Sequence, residues 1–125
     1  FTYSIGFPKT LGSPDFIIFG LGQELMHSML WEIFHQIKAG QKVSHGQKWD
    51  GLLGGGFACY SFKCTHPDLF EEYALSSKWY WNDQGLSGEP DVYQIVWPGA
   101  KDGLFPWDSG CDQFVIDQQP QLYIK

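Results

Sequence analysis

The sequence predicts an α+β domain: a mixed or antiparallel sheet with one long helix and one shorter helix packed on one face. Three observations predict it. The stretch Gln23–Ala39, QELMHSMLWEIFHQIKA, sets Leu25, Met26, Met29, Leu30, Ile33, Phe34 and Ile37 at the i, i+3, i+4, i+7 spacing of one helical face. FTYSIG and FACYSFKC alternate apolar with polar or small residues, as half-buried strands do. Two strand patterns come before the long helix and no G-x-G-x-x-G is present, which argues against a doubly wound nucleotide-binding sheet.

Taken in order, Phe1–Gly6 is the first strand, with Phe1, Tyr3 and Ile5 on one face. Phe7–Asp15 contains Pro8, Gly12 and Pro14 and is expected as a loop. Phe16–Leu21, FIIFGL, is nearly all apolar, as a strand buried on both faces would be, and Gly20 would permit a close backbone approach. The long helix follows, and Gly40 and Lys38 suit its C-terminal end. Gln41–Gly56 is polar and then glycine-rich. It lacks the spacing of a phosphate-binding loop and is expected to be irregular.

Phe57–Cys64 is a strand with Ala58, Tyr60 and Phe62 on one face, so Cys59 and Cys64 point to opposite faces and no local disulfide joins them. Pro67 and Asp68 open the shorter helix, whose stripe is Leu69, Phe70, Tyr73, Ala74, Ser77 and Tyr80. Asn82–Asp91 is a loop and Val92–Trp97 a strand stopped by Pro98 and Gly99. The tail has turns at Asp102-Gly103 and Ser109-Gly110, with short extended pieces expected at Gln113–Ile116 and Leu122–Ile124.

The 125 residues fit one domain, residues 1–125, with enough chain for a core. Phe1 already lies in a strand pattern, so a further segment is expected upstream. No apolar run is long enough for a membrane-spanning helix. The net charge is −6, with eight scattered lysines and no arginine, which points away from nucleic acid and from phosphate clamps. An acidic molecule is instead steered toward a basic partner. Three cysteines, an odd number, suit reduced thiols in the cytoplasm.

No side-chain set matches a catalytic or metal-binding pattern. His27 and His35 are eight positions apart on the helix, beyond the one-turn spacing of a metal pair. Cys59 and Cys64 are not spaced as a zinc knuckle, and Asp102, Asp108, Asp112 and Asp117 do not match a calcium loop. Neither a metal nor a cofactor is expected. The aromatic tail is more specific. Trp97-Pro98 and Phe105-Pro106-Trp107-Asp108 make a stiff apolar surface, either a lid over the core or the wall of a pocket.

FTYSIGF, Gly12-Ser13-Pro14-Asp15 with FIIFGL, QIVWP, DGLFPWD and QPQL, in that order, resemble a bacterial domain of unknown function, family 4262. The resemblance covers both ends of the chain and the long helix. It brings no activity with it. The family often has a histidine where Ser13 stands and an acidic residue where Gly99 stands, so a metal or catalytic role at those positions would be lost here. The expectation is therefore a small acidic cytoplasmic binding protein that neutralises or regulates a protein partner with a basic surface, as an immunity protein neutralises a toxin. Its binding residues would be Tyr3, Trp97, Phe105, Trp107 and Asp108. The alternative is an enzyme or small-molecule binder whose pocket, walled by Tyr3, Trp97 and Trp107 with Asp108 as the polar group, takes a flat flavin-like ligand.

Overall fold

The computed structural model describes residues 1–67, 69–73, 79, 81–85 and 91–125. Among the described residues five strands form one mixed sheet: β1 (Thr2–Tyr3), β2 (Asp15–Ile18), β3 (Gln47–Trp49), β4 (Cys59–Lys63) and β5 (Val92–Val96). Their order is β1-β2-β5-β4-β3. The central pair β2 and β5 is parallel, and every other pairing is antiparallel. Among the described residues the fold is α+β, with α2 (Gln23–Lys38) as its main helix, the short α1 (Phe7–Leu11) and α3 (Gln113–Asp117), and further helical residues at 79 and 81–83.

The nearly all-apolar run Phe16–Leu21 predicted as a central strand supplies most of β2, which spans Asp15–Ile18 and is buried along its whole length. Alternation along it sends Phe16 and Ile18 to one face, and Ile17 and Phe19 to the other. On the first face Met26, Met29, Leu30 and Ile33 of α2 meet Phe16, Ile18, Trp49, Cys59 and Ile95. The buried residues of α2 all belong to the predicted apolar stripe, of which Phe34 and Ile37 are half-buried and Leu25 at the N-terminal end is exposed. At the other end Gly40 has φ +112°, and the Gln41 N–H closes back on the Gln36 carbonyl (2.9 Å), as a helix stop at glycine does.

Both faces of the sheet are covered, which corrects the expectation of helices on one face only. Opposite α2, Ile17, Phe19, Cys64 and Val92 are packed by Leu69 and by Leu122 of the tail. Within the span expected as the shorter helix, Leu69–Tyr73 is π-helical and residues 79 and 81 are α-helical. Ala74, Ser77 and Tyr80 of its predicted stripe lie outside the described residues. Cys59 and Cys64 sit in the cores of opposite faces, and all three cysteines are free thiols.

Four further expectations are corrected. The first loop holds α1, because Pro8 suits a first helical turn and Gly6 and Gly12, at φ +91° and +67°, bracket it. The polar stretch after α2 contains β3, a strand of three residues held by pairing with β4 and by burial of Trp49. Gln113–Asp117 is helical, because the Asp112 carboxylate accepts the Phe114 N–H (2.9 Å) and caps it. The tail's expected last strand is reduced to one bridge between Tyr123 and Cys64.

The tail is fastened by two buried glutamines. Gln94, in the middle of β5, donates to the Pro120 carbonyl (2.8 Å) and accepts the Leu122 N–H (3.2 Å). Gln119 accepts the Trp97 N–H (3.0 Å) and returns a bond to the Trp97 carbonyl (2.9 Å). The QIVWP and QPQL motifs thus hold each other, with side-chain amides doing what a neighbouring strand's backbone would do. Gly20 is at φ +81° and a Cβ there would lie 2.7 Å from that of Gln118, so the expected close approach is present.

Candidate functional site

β4 builds the floor of the main candidate site. Its alternation puts Tyr60 and Phe62 on the face away from α2. Over them folds the turn Phe105–Asp108. The Asp108 carboxylate accepts the Phe105 N–H (2.9 Å), and the Asp108 N–H donates to the Phe105 carbonyl (2.9 Å). With Pro106 between, this double closure fixes both neighbouring rings. Phe105 and Trp107 lie parallel, with centroids 4.9 Å apart and planes within 2°. Tyr60 meets both edge-to-face at 5.1 and 5.9 Å, and Phe62 meets Trp107 at 5.4 Å. Tyr123 stacks on Phe62 at 4.6 Å.

Tyr60, Phe62, Phe105 and Trp107 wall a recess of about 460 Å³, which His45, Gly46, Asp108 and Lys125 also line. The His45 Nδ1 accepts the Lys63 N–H (3.0 Å), so in the neutral ring Nε2 carries the proton. The Lys125 ammonium stands 4.6 Å from the Trp107 ring centroid. Trp107 and Lys125 also border a second hollow of about 300 Å³, lined further by Ile116, Gln119, Gln121 and Tyr123. Burial, and next the neighbouring Cys64 thiol, push the Tyr123 hydroxyl up to about 12, so it stays neutral at physiological pH.

Of the residues singled out in the sequence, Phe105, Trp107 and Asp108 come together in this recess. Tyr3 does not join them. It lies on β1, against Phe1 and the Ile17–Phe19 core, and β2 and β5 separate its strand from β4, a span of about 14 Å at ordinary strand spacing. Trp97 is 5% exposed, and its indole N–H donates to the Phe19 carbonyl (2.6 Å), so it is a core residue. The pocket imagined between Tyr3, Trp97 and Trp107 is therefore not one place. His45, Tyr60, Phe62 and Lys125 complete the recess. The alternation of FACYSFKC put Tyr60 and Phe62 on one face, but no local signal marked His45 or Lys125.

A third hollow, of about 360 Å³, lies between the Ser4–Phe7 turn and α2, with His27 and Trp31 on its rim. Its serine is fully engaged: the Ser4 hydroxyl donates to the Asp15 carboxylate (2.8 Å) and accepts the Phe16 N–H (2.9 Å). Asp15 also accepts the Phe7 N–H (3.1 Å), so this buried carboxylate organises the turn. Ser13 precedes β2 and Gly99 follows β5. On parallel strands these are opposite ends, so the two positions where the chain departs from the resembled pattern do not form one site. Among the described residues no group of three or more His, Cys, Asp or Glu side chains is arranged to hold a metal ion. Among them also, no helix is long and apolar enough to cross a membrane.

A family model described as "Domain of unknown function (DUF4262)" matches residues 1–112. The match runs through the middle of the chain as well as its first motifs, and stops short of QPQL at Gln119–Leu122. No curated protein and no solved structure matches the chain.

Proposed function

The chain belongs to the DUF4262 family, and from that premise we propose that it is an acidic binding module for a protein partner with a basic surface. Its concrete form is an immunity-type protein that neutralises a toxin. The observation that carries the reading is the recess at Trp107, which joins several aromatic faces to the Asp108 carboxylate and already has an ammonium group seated on it. Aromatic side chains anchor interfaces, and a molecule of net charge −6 steers basic partners toward itself. Three free thiols support a reducing compartment, the cytoplasm. A flat, flavin-like ligand is the weaker alternative, because Phe105 and Trp107 lie against each other and leave no slot between them.

The experiment is affinity capture from the source cell, followed by association kinetics with the captured partner. A basic partner is expected, with an association rate that falls as salt rises from low to physiological strength and a dissociation rate that changes little. Trp107→Ala should speed dissociation, with thermal melting run in parallel to confirm that the variant is folded. An on-rate insensitive to salt, together with full affinity in folded Trp107→Ala, refutes the proposal.

A further inference from the structure

Lys125 has an unusual partner for a surface lysine. Its ammonium stands 4.6 Å from the Trp107 centroid, within the range of cation–π attraction. Among the described residues the one ion pair is Lys63 with Asp91, so no carboxylate lies within 4.0 Å of Lys125. Its side chain is otherwise exposed. The indole is what meets this charge. Trp107 itself is held in place from the other directions, by Phe105 in parallel contact and by Tyr60 and Phe62 edge to face. A fixed ring with a loosely held cation on it is a preorganised seat with a removable occupant.

The position of Lys125 adds a second observation. It borders both the recess toward Tyr60 and Asp108 and the hollow toward Ile116 and Gln121. The Trp107–Lys125 pair is the partition between them. With Lys125 swung into solvent, the two hollows would run together as one groove passing over the Trp107 face.

We propose that Trp107 is the seat for an alkylammonium group, that a lysine side chain of the basic partner fills it, and that Lys125 is an internal competitor that has to leave first. This rests on the preceding reading of the recess as the partner-binding surface. The partner's lysine replaces a cation already stable at that place, Asp108 in the lining adds attraction for it, and the joined groove receives the residues flanking it. The cost of displacing Lys125 lowers the apparent affinity by the fraction of time the seat is occupied.

The test needs no partner. Tetramethylammonium chloride is titrated into the full chain against matched sodium chloride, and the indole N–H resonances of the tryptophans are followed by NMR. The Trp107 signal is identified as the one missing from Trp107→Phe. In wild type the Trp107 resonance should shift saturably. In Lys125→Met the same shift should saturate at about two- to fivefold lower concentration, the worth of one exposed cation–π contact. Because Lys125 is exposed, this variant keeps its fold, which an unchanged melting temperature verifies. Equal affinities in wild type and Lys125→Met overturn the competitor. A neutral probe of similar shape, tert-butanol, shifting the resonance equally well overturns the cation seat. If the titration fails while a salt-dependent basic partner still binds, only this inference falls. If the titration succeeds and no basic partner binds, the seat stands and the functional proposal falls.

Discussion

Replacing Gln119 with leucine removes an amide while nearly keeping its volume. Gln119 is 5% exposed, and both ends of its side chain are occupied by backbone groups of Trp97, the N–H at 3.0 Å and the carbonyl at 2.9 Å. A third bond, 3.3 Å long, reaches the Val115 carbonyl. Leucine would leave the two Trp97 groups buried without these partners, at about 1–3 kcal/mol each. Burying two methyl groups in place of the amide returns about 1–2 kcal/mol. The expected net loss is about 2–4 kcal/mol, a large part of the 5–15 kcal/mol, roughly, that holds an ordinary domain together. Urea unfolding followed by tryptophan fluorescence should show the midpoint falling by about 1–2 M. Gln121→Leu is the control: Gln121 is exposed and makes one bond, to the Tyr123 carbonyl (3.0 Å), so its loss should stay within about 0.5 kcal/mol. Equal midpoints for the two variants would refute the argument that the amide of Gln119 stands in for a strand.

Leu30→Ala should cost about 2–5 kcal/mol, since Leu30 is buried under the sheet, while Leu25→Ala on the same predicted stripe should cost no more than about 0.5; matched shifts in denaturant midpoint would contradict the placement of α2. Burial pushes the Cys59 thiol up to about 12, and the Cys64 thiol to about 12 against an opposing backbone hydrogen bond, while Tyr123 is raised to about 12 as well. The native state therefore keeps protons that the unfolded chain releases from about pH 9 upward, so stability is fully present below that pH and declines as pH climbs toward 12. Unfolding midpoints that stay level up to pH 11 would contradict this. In the native protein a thiol reagent should reach Cys111 first, slowly because burial and then the nearby Asp102, Asp112 and Asp108 raise its pKa, and all three thiols should react after denaturation without reductant. Finding Cys59 or Cys64 labelled as fast as Cys111 would show that the core opens.

Periodicity made α2, β2, β4 and β5 legible, because each buries a face long enough to leave a repeat in the sequence. The elements that were missed are short. α1 spans five residues between glycines, and β3 spans three residues, of which Trp49 alone is buried, so neither completes a period. In α3 the apolar run Phe114–Ile116 suggested extension, although Asp112 two positions ahead of Phe114 was a visible capping signal. The site divides along the same line. Phe105, Trp107 and Asp108 are neighbours in the chain, so their clustering could be read locally. Tyr3 and Trp97 were grouped with them on aromatic character, and it takes the strand order to separate Tyr3 and the burial of its indole to separate Trp97. His45 and Lys125 reach the recess from distant segments, a placement that belongs to topology and leaves no local mark.

The glutamine fastening also sets an order of events in synthesis. Gln94 is completely buried in the middle of the sheet, yet its bonding partner Pro120 lies 26 residues further along. At a translation rate of about 5–20 residues per second, that stretch takes about 1–5 s to make. In that interval α2 and the strands it packs on have been made, but Val115, which completes the same core, has not. The reverse side still lacks Leu122 and Tyr123, and the Gln94 amide faces water. Neither face of the sheet is therefore complete before the tail arrives, and a chaperone that reads exposed apolar side chains has its opportunity at Phe62 and Val96 in those seconds.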